Sequence, residues 1–221
     1  MSVTFSAPVA SSAVPSACFR STVYFFLDFS NIAITAGKIA PDHGDGLLDR
    51  RHVRLHCRNL RRFVERDRVW GKGYAAAGLK NQDSTIKRHF EQVDIRFDIF
   101  ERGEVTGREQ NVDERIQLEM YRLPAPRDEE ATVVLATGDG KGTERGDGFI
   151  SALTELRNRG FEVEVMSWAE SFNQHLRNWA ALNGRAIELD EFHQDLTFVE
   201  GRRPASPEHV LNRKLARRLA A

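Results

Sequence analysis

Four aspartates recur at the same kind of place in this chain. Asp28 closes the apolar, β-branched and aromatic run of residues 21–27, and Asp113 opens a helical pattern. Asp139 follows the apolar run 133–136, and Asp147 lies just before the next helical pattern. If the strands run parallel, all four reach one edge of a sheet. Ionised carboxylates share a site only when a cation neutralises them. Hard oxygen donors suit Mg²⁺ or Mn²⁺, and such an ion orients water and stabilises charge at a phosphodiester. The Thr137 hydroxyl is placed to orient Asp139 or to meet a phosphate.

Each aspartate also has a plain structural account. Asp, Ser and Asn after a strand favour turns and helix caps, so Asp28, Ser30 and Asn31 read equally as an Asx-turn. Asn111 and Glu114 have the spacing of a capping box, which puts Asp113 in the first turn, where the helix dipole favours an acid.

The elements that must position these residues are legible as an alternating α/β pattern. Residues 132–166 form one β-loop-α-β unit: the run 133–136, a Gly- and Asp-rich loop, a helix through Phe149, Leu153 and Leu156 stopped by Gly160, and a second strand at 163–165. Strand, helix and strand in that order call for parallel pairing with right-handed crossovers. In open α/β sheets, chemistry gathers at the carboxyl ends of the strands. Residues 21–27 read as a central strand buried on both faces. Residues 72–77 read as a small-residue strand and 93–100 as a half-exposed or edge strand. Further helices are expected over 48–68, 82–91, from Ile116 to Leu123 ahead of Pro124 and Pro126, and within 168–182, with a last short strand at 186–189. Residues 36–48 read as a loop.

The helix expected over 48–68 is dense in arginine, including Arg54, Arg58, Arg61 and Arg62, with few local acids to pair. That makes it the candidate for holding phosphates. His52, His56 and Cys57 share that stretch, but no second ligand cluster accompanies them, and zinc is disfavoured. Lysines and arginines balance acids at 32 each, so no global field points to nucleic acid or membrane. Two cysteines in 221 residues argue against a disulfide framework, and no apolar run is long enough to span a bilayer. Residues 1–20 have the composition of a disordered tail, with a weak likeness to an organellar transit peptide. The domain proper is expected over 21–200. A basic, partly amphipathic tail follows over 201–221.

Three motifs resemble the NYN domain family of the PIN-like nuclease superfamily. They are FLDFSNI (26–32), NVDERIQLEMYRL (111–123), and VVLATGDG (133–140) followed by DGFISALTELRNRGFEVEV (147–165). The segment FNQHLRNWAALNGRAIEL (172–189) is similar to the family's terminal helix and short strand, so the resemblance spans about residues 21–189. It implies a three-layer, Rossmann-like α/β domain with a mainly parallel central sheet flanked by helices, and hydrolysis of RNA phosphodiesters with bound Mg²⁺ or Mn²⁺. Carried over, Asp28, Asp113 and Asp139 are the metal ligands, with Asn31 supporting the site and Thr137 and Gly138 completing the third motif. Family members place another Asp two or three residues after the third acid. Here residues 140–146 intervene before Asp147, so Asp147 either reaches the site through a longer loop or the site has one ligand fewer. Lys141 and Arg145 of that loop join the arginine face as candidate phosphate contacts.

The expected function is therefore a metal-dependent ribonuclease acting on RNA, cytoplasmic by default, with nuclear and organellar locations and a homo-oligomeric or protein partner left open. A second reading keeps the fold but loses the chemistry, as an RNA-binding or protein-interaction module. A third takes the Gly-rich loop as a nucleotide-cofactor cradle, but the Walker pattern is missing.

Overall fold

In the computed structural model, residues 21–44, 50–79, 84–101, 112–126, 130–138 and 148–219 are described. The run expected as a central strand is one. β1 (Thr22–Asp28) pairs in parallel with β3 (Val69–Leu79) on one side and β5 (Ala131–Ala136) on the other. β4 (Ile95–Glu101) adds outside β3, and β6 (Glu162–Ser167) and β7 (Arg185–Glu188) add outside β5, giving the order β4-β3-β1-β5-β6-β7 with every pairing parallel. The chain first builds outward from β1 in one direction and then, from β5, in the other. The boundary between β1 and β5 is thus the topological switch point, where open α/β sheets leave a crevice at the strands' carboxyl ends.

Successive side chains of β1 point to opposite faces, and each face has its own core. Val23, Phe25 and Leu27 pack under α1 (Phe29–Ile39), α2 (Cys57–Glu65) and α3 (Ser84–Glu91). Phe26 packs under α4 (Val112–Tyr121), α5 (Phe149–Asn158) and α6 (Gln174–Asn183). This is the expected three-layer α/β domain. Because each crossover helix returns the chain from a carboxyl end to an amino end, α1, α3, α4, α5 and α6 all present their amino termini at the carboxyl edge. Gly160 stops α5 as expected: it takes φ +95°, and Phe161 N–H donates back to the Leu156 carbonyl.

The structure corrects two local expectations. Residues 36–48 are not all loop, because α1 runs to Ile39 and a 3₁₀ turn follows over Ala40–His43. The helix expected over 48–68 is interrupted: a 3₁₀ turn at Arg50–His52 and a short strand, β2 (Val53–Leu55), precede α2. Val53 and Leu55 alternate inward around Arg54, and β2 pairs antiparallel with β8 (Thr197–Val199), which follows the short helix α7 (His193–Leu196). The amphipathic segment near the carboxyl end forms α8 (Glu208–Leu219), whose Leu211 and Leu215 enter the same core as α2. Among the described residues, no helix is long and apolar enough to cross a membrane.

Candidate active site at the carboxyl edge

The first turn of α1 ties β1 to both of its neighbours. Asp28, 4 % exposed, is the N-cap, and its Oδ1 accepts a hydrogen bond from Asn31 N–H at 3.1 Å. Its Oδ2 accepts from the Thr137 hydroxyl at 3.2 Å, across the switch point from β5. Ser30 Oγ accepts from Gly78 N–H of β3 at 3.1 Å. Asn31 Oδ1 accepts from Gly138 N–H at 2.8 Å, so this side chain fixes the backbone immediately before Asp139. The turn reading and the functional reading of Asp28 are compatible: the cap is what holds the carboxylate still. Phe29 anchors the turn from below, edge-to-face with Phe90 and Phe97 at ring separations of 5.5 and 5.2 Å.

Gly138 is hemmed in from the other side as well. Its carbonyl accepts from Asn173 N–H at 3.0 Å. A β-carbon at this position would lie 2.5 Å from the Ser171 carbonyl oxygen and 2.7 Å from Asn31 Oδ1. The Gly of the Thr137-Gly138-Asp139 motif is therefore a packing requirement. Trp168, fully buried, donates its indole N–H to the Ile32 carbonyl at 2.8 Å and clamps the end of β6 onto α1.

Asp113 lies half-buried in the first turn of α4, which packs across β3 and β1. Since α4 carries the chain from the carboxyl end of β4 to the start of β5, Asp113 belongs to the same edge as Asp28. Gly148 N-caps α5, whose amino terminus lies at that edge too. Asp139, Lys141, Arg145 and Asp147 lie outside the described residues, as does the Asn111 cap. Among the described residues, no group of three or more His, Cys, Asp or Glu side chains is placed to hold a metal. The donors fixed around Asp28 are oxygens of carboxylate, hydroxyl and amide groups, a set that matches Mg²⁺ or Mn²⁺ in chemistry.

The comparison with known families decides what these features belong to. The NYN domain model matches residues 22–183. The chain belongs to the NYN domain family. Among solved structures, a protein of unknown function from Vibrio parahaemolyticus is similar in fold, with a TM-score of 0.53 at 15 % identity, covering 80 % of this chain and 97 % of its own. No curated protein matches the chain in sequence. The NYN assignment carries with it the PIN-like nuclease fold, and the parallel sheet with its β1/β5 switch point agrees.

Of the arginines expected on one helix face, Arg58, Arg61 and Arg62 lie on α2 and Arg54 lies outside it. Arg54 lies on β2 and meets Glu200 at 3.1 Å. Arg61 meets Asp94 at 2.5 Å and lies over the Trp70 ring at 4.8 Å. Arg62 meets Asn212 Oδ1 at 3.0 Å and Glu208 at 3.7 Å, both on α8. Arg58 is exposed on α2. Apart from Glu65, 3.9 Å from Arg61, the acids that pair these arginines come from distant segments, which is why the local sequence looked short of them. Trp70 and Asp94 sit at the amino ends of β3 and β4, so Arg61 is at the edge opposite Asp28, about 20 Å away along a seven-residue strand. The histidine–cysteine stretch is no ligand cluster either. His56 N-caps α2 through Nδ1, which accepts from Asn59 N–H, and burial lowers its pKa. Burial likewise pushes the Cys57 thiol up to about 12, which keeps it protonated.

The roles of Ser30, Ser171, Asn173 and Trp168 were not read from the sequence. Asn173 carries the one local signal that could have been used, an Asn directly before a helical run; its side chain accepts from His175 and Leu176 N–H.

Proposed function

We propose that this NYN domain is a metal-dependent ribonuclease whose site is built on Asp28 at the β1/β5 switch point. The observation that carries the reading is the pair of bonds across that boundary. Thr137 holds the Asp28 carboxylate, and Asn31 holds Gly138, the residue that launches Asp139. Asp28, Asp113 and Asp139 are the residues that would hold a divalent cation, with Asp147 as a candidate further ligand. Such an ion supplies charge neutralisation at the scissile phosphate and a lowered pKa for the attacking water.

The protein's own part is positional. Thr137 and the Asn31 N–H fix the Asp28 rotamer, so the carboxylate needs little reorganisation when substrate arrives. The amino termini of α1, α4, α5 and α6 face the same edge and favour the negative charge of an RNA backbone. Lys141 and Arg145, between Asp139 and Asp147 in the sequence, are the proposed phosphate contacts.

The test is cleavage of a labelled RNA with Mg²⁺, with Mn²⁺ and with chelator, comparing the wild type with Asp28→Asn and Asp139→Asn. Cleavage is expected only with metal and is expected to fall on the order of 100-fold or more in either variant. Metal-independent cleavage, or cleavage unchanged in both variants, would sink the proposal. The separation of Asp139 from Asp147 by residues 140–146 favours one competing reading, an NYN domain that binds RNA without cutting it. RNA binding with no cleavage under any metal condition would establish that reading instead.

A further inference from the structure

The geometry points to a binding groove for single-stranded RNA between α1, β2 and α3, leading away from the Asp28 edge. The inference rests on the proposal that the chain acts on RNA. The groove has a volume of about 410 Å³, and Phe29 is among the residues that line it. Its floor is apolar, formed by Ala33, Ile34, Leu55 and Ile86. Ile34, 50 % exposed, adds apolar surface to that floor. The rim is basic: Lys38, Arg51 and Arg54 line it, and among the described residues no acidic side chain does.

Three cations over an apolar floor suit a polyanion whose bases can reach apolar surface. Single-stranded RNA offers both phosphates and unstacked bases, whereas a duplex hides its bases. Continuity with the proposed active site supports the same occupant. Phe29 directly follows Asp28, and Lys38 lies nine residues on along α1, about 13 Å away at 1.5 Å per residue. A strand lying along the groove therefore passes the carboxylate edge. Arg54 Nη1 donates to the Arg51 and Val53 carbonyls; the guanidinium's pair with Glu200, between side chains 38 % and 48 % exposed, is weak enough to exchange for a phosphate.

The test measures binding of a fluorescein-labelled single-stranded RNA of about 12 nucleotides, a length chosen to exceed one groove-length contact, by anisotropy with the full chain in excess EDTA. Cleavage then plays no part. Lys38→Ala combined with Arg51→Ala is expected to weaken binding roughly tenfold and to flatten the slope of log Kd against log salt by about 1.4, two single-strand phosphate contacts' worth. Ile34→Ser is expected to weaken binding about two- to threefold with the slope unchanged. Arg157→Ala, on α5 and outside the groove, is expected to leave both unchanged.

Unchanged affinity and slope in the double variant would overturn the groove. So would no RNA binding by the wild type, or a duplex of equal length that binds as tightly and loses as much. Failure here and failure of the nuclease proposal are separable. If groove variants keep their affinity while Asp28→Asn abolishes cleavage, the groove falls and the nuclease stands. If they lose affinity while the wild type cuts nothing, the reverse holds.

Discussion

Buried carboxylates at the two edges of the sheet are held in different ways. At the carboxyl edge, Asp28 accepts from a hydroxyl and a backbone N–H, both supplied within the β1/β5 boundary. Near the amino edge, Glu164 of β6 is met by Arg68 at 3.1 Å and by Arg66 and Arg185 at 3.5 Å. Glu119 on α4, 2 % exposed, is met by Lys72 at 2.7 Å and Arg122 at 2.6 Å, with Arg115 and Arg96 further out. The glutamates are staples: each draws basic side chains from two or more elements onto one point. Asp28 accepts from two uncharged donors, a backbone N–H and a hydroxyl, that fix its rotamer. The difference separates acids met by several basic side chains from one held by uncharged donors.

The largest effect should appear where that separation is tested directly. Glu164→Gln leaves Arg66 and Arg68, whose side chains are only 12 % and 13 % exposed, without their counter-charge. Removing one partner of such a buried pair costs about 3–5 kcal/mol, a drop in Tm of roughly 6–20 °C for a chain of this size. Asp28→Asn should leave the Tm far closer to wild type while removing cleavage. Equal losses of stability in the two variants would erase the distinction. Glu119 adds a pH signature. Burial alone would raise its carboxyl pKa, but Lys72 and Arg122 outweigh burial and the net shift is downward. A carboxylate with a lowered folded-state pKa stabilises above its unfolded pKa, and the contribution is lost as pH falls through the folded value. Thermal melts from neutral to acid should therefore be flatter in Glu119→Gln than in the wild type.

A smaller effect tests the aiming of Asp28. Thr137→Val keeps the shape of a fully buried side chain but removes the hydroxyl that Asp28 Oδ2 accepts from. Loss of such an orienting contact should lower metal affinity or cleavage by about 10- to 100-fold, with the apparent metal requirement rising more than substrate KM. Gly138→Ala should act in the same direction, since its β-carbon would displace either Ser171 or Asn31. A Thr137→Val variant with wild-type metal dependence would make the hydroxyl a packing detail.

Which of these features the sequence disclosed follows from how local they are. β1, β5, α5 and β6 were readable because each is a short apolar run or helical stripe with its stop, Gly160, next to it. Asp28, Asp113, Thr137 and Gly138 were readable as a family pattern on those elements. β2 was not: Val53 and Leu55 are a strand only because Val199 and Thr197, far along the chain, pair with them. For the same reason the arginines looked unpaired. Glu200 and Glu208 reach Arg54 and Arg62 only after α7, β8 and α8 have folded back. The bond from Thr137 to Asp28 was equally hidden, because the sequence places a hydroxyl beside Asp139 and the fold turns it toward the neighbouring strand.

The smallest expected effect marks the lower end of the comparison. Glu200 pairs with Arg54 much as Glu164 pairs with Arg68, at 3.1 Å, yet both of its partners face solvent. Water already solvates these charges, and fixing two long side chains costs entropy, so the pair should contribute about 0.2–1 kcal/mol. Glu200→Gln should therefore shift the Tm by no more than roughly 2–4 °C, against the larger drop for Glu164→Gln. The same variant bears on the groove. With its competing carboxylate gone, Arg54 is freer to meet a phosphate, so single-stranded RNA should bind slightly tighter in EDTA and with a steeper salt dependence. A Tm loss as large as that of Glu164→Gln would make Glu200 a staple and remove Arg54 from the rim. Weaker RNA binding at an unchanged Tm would mean that the Glu200 pair positions Arg54 for the phosphate and does not compete with it.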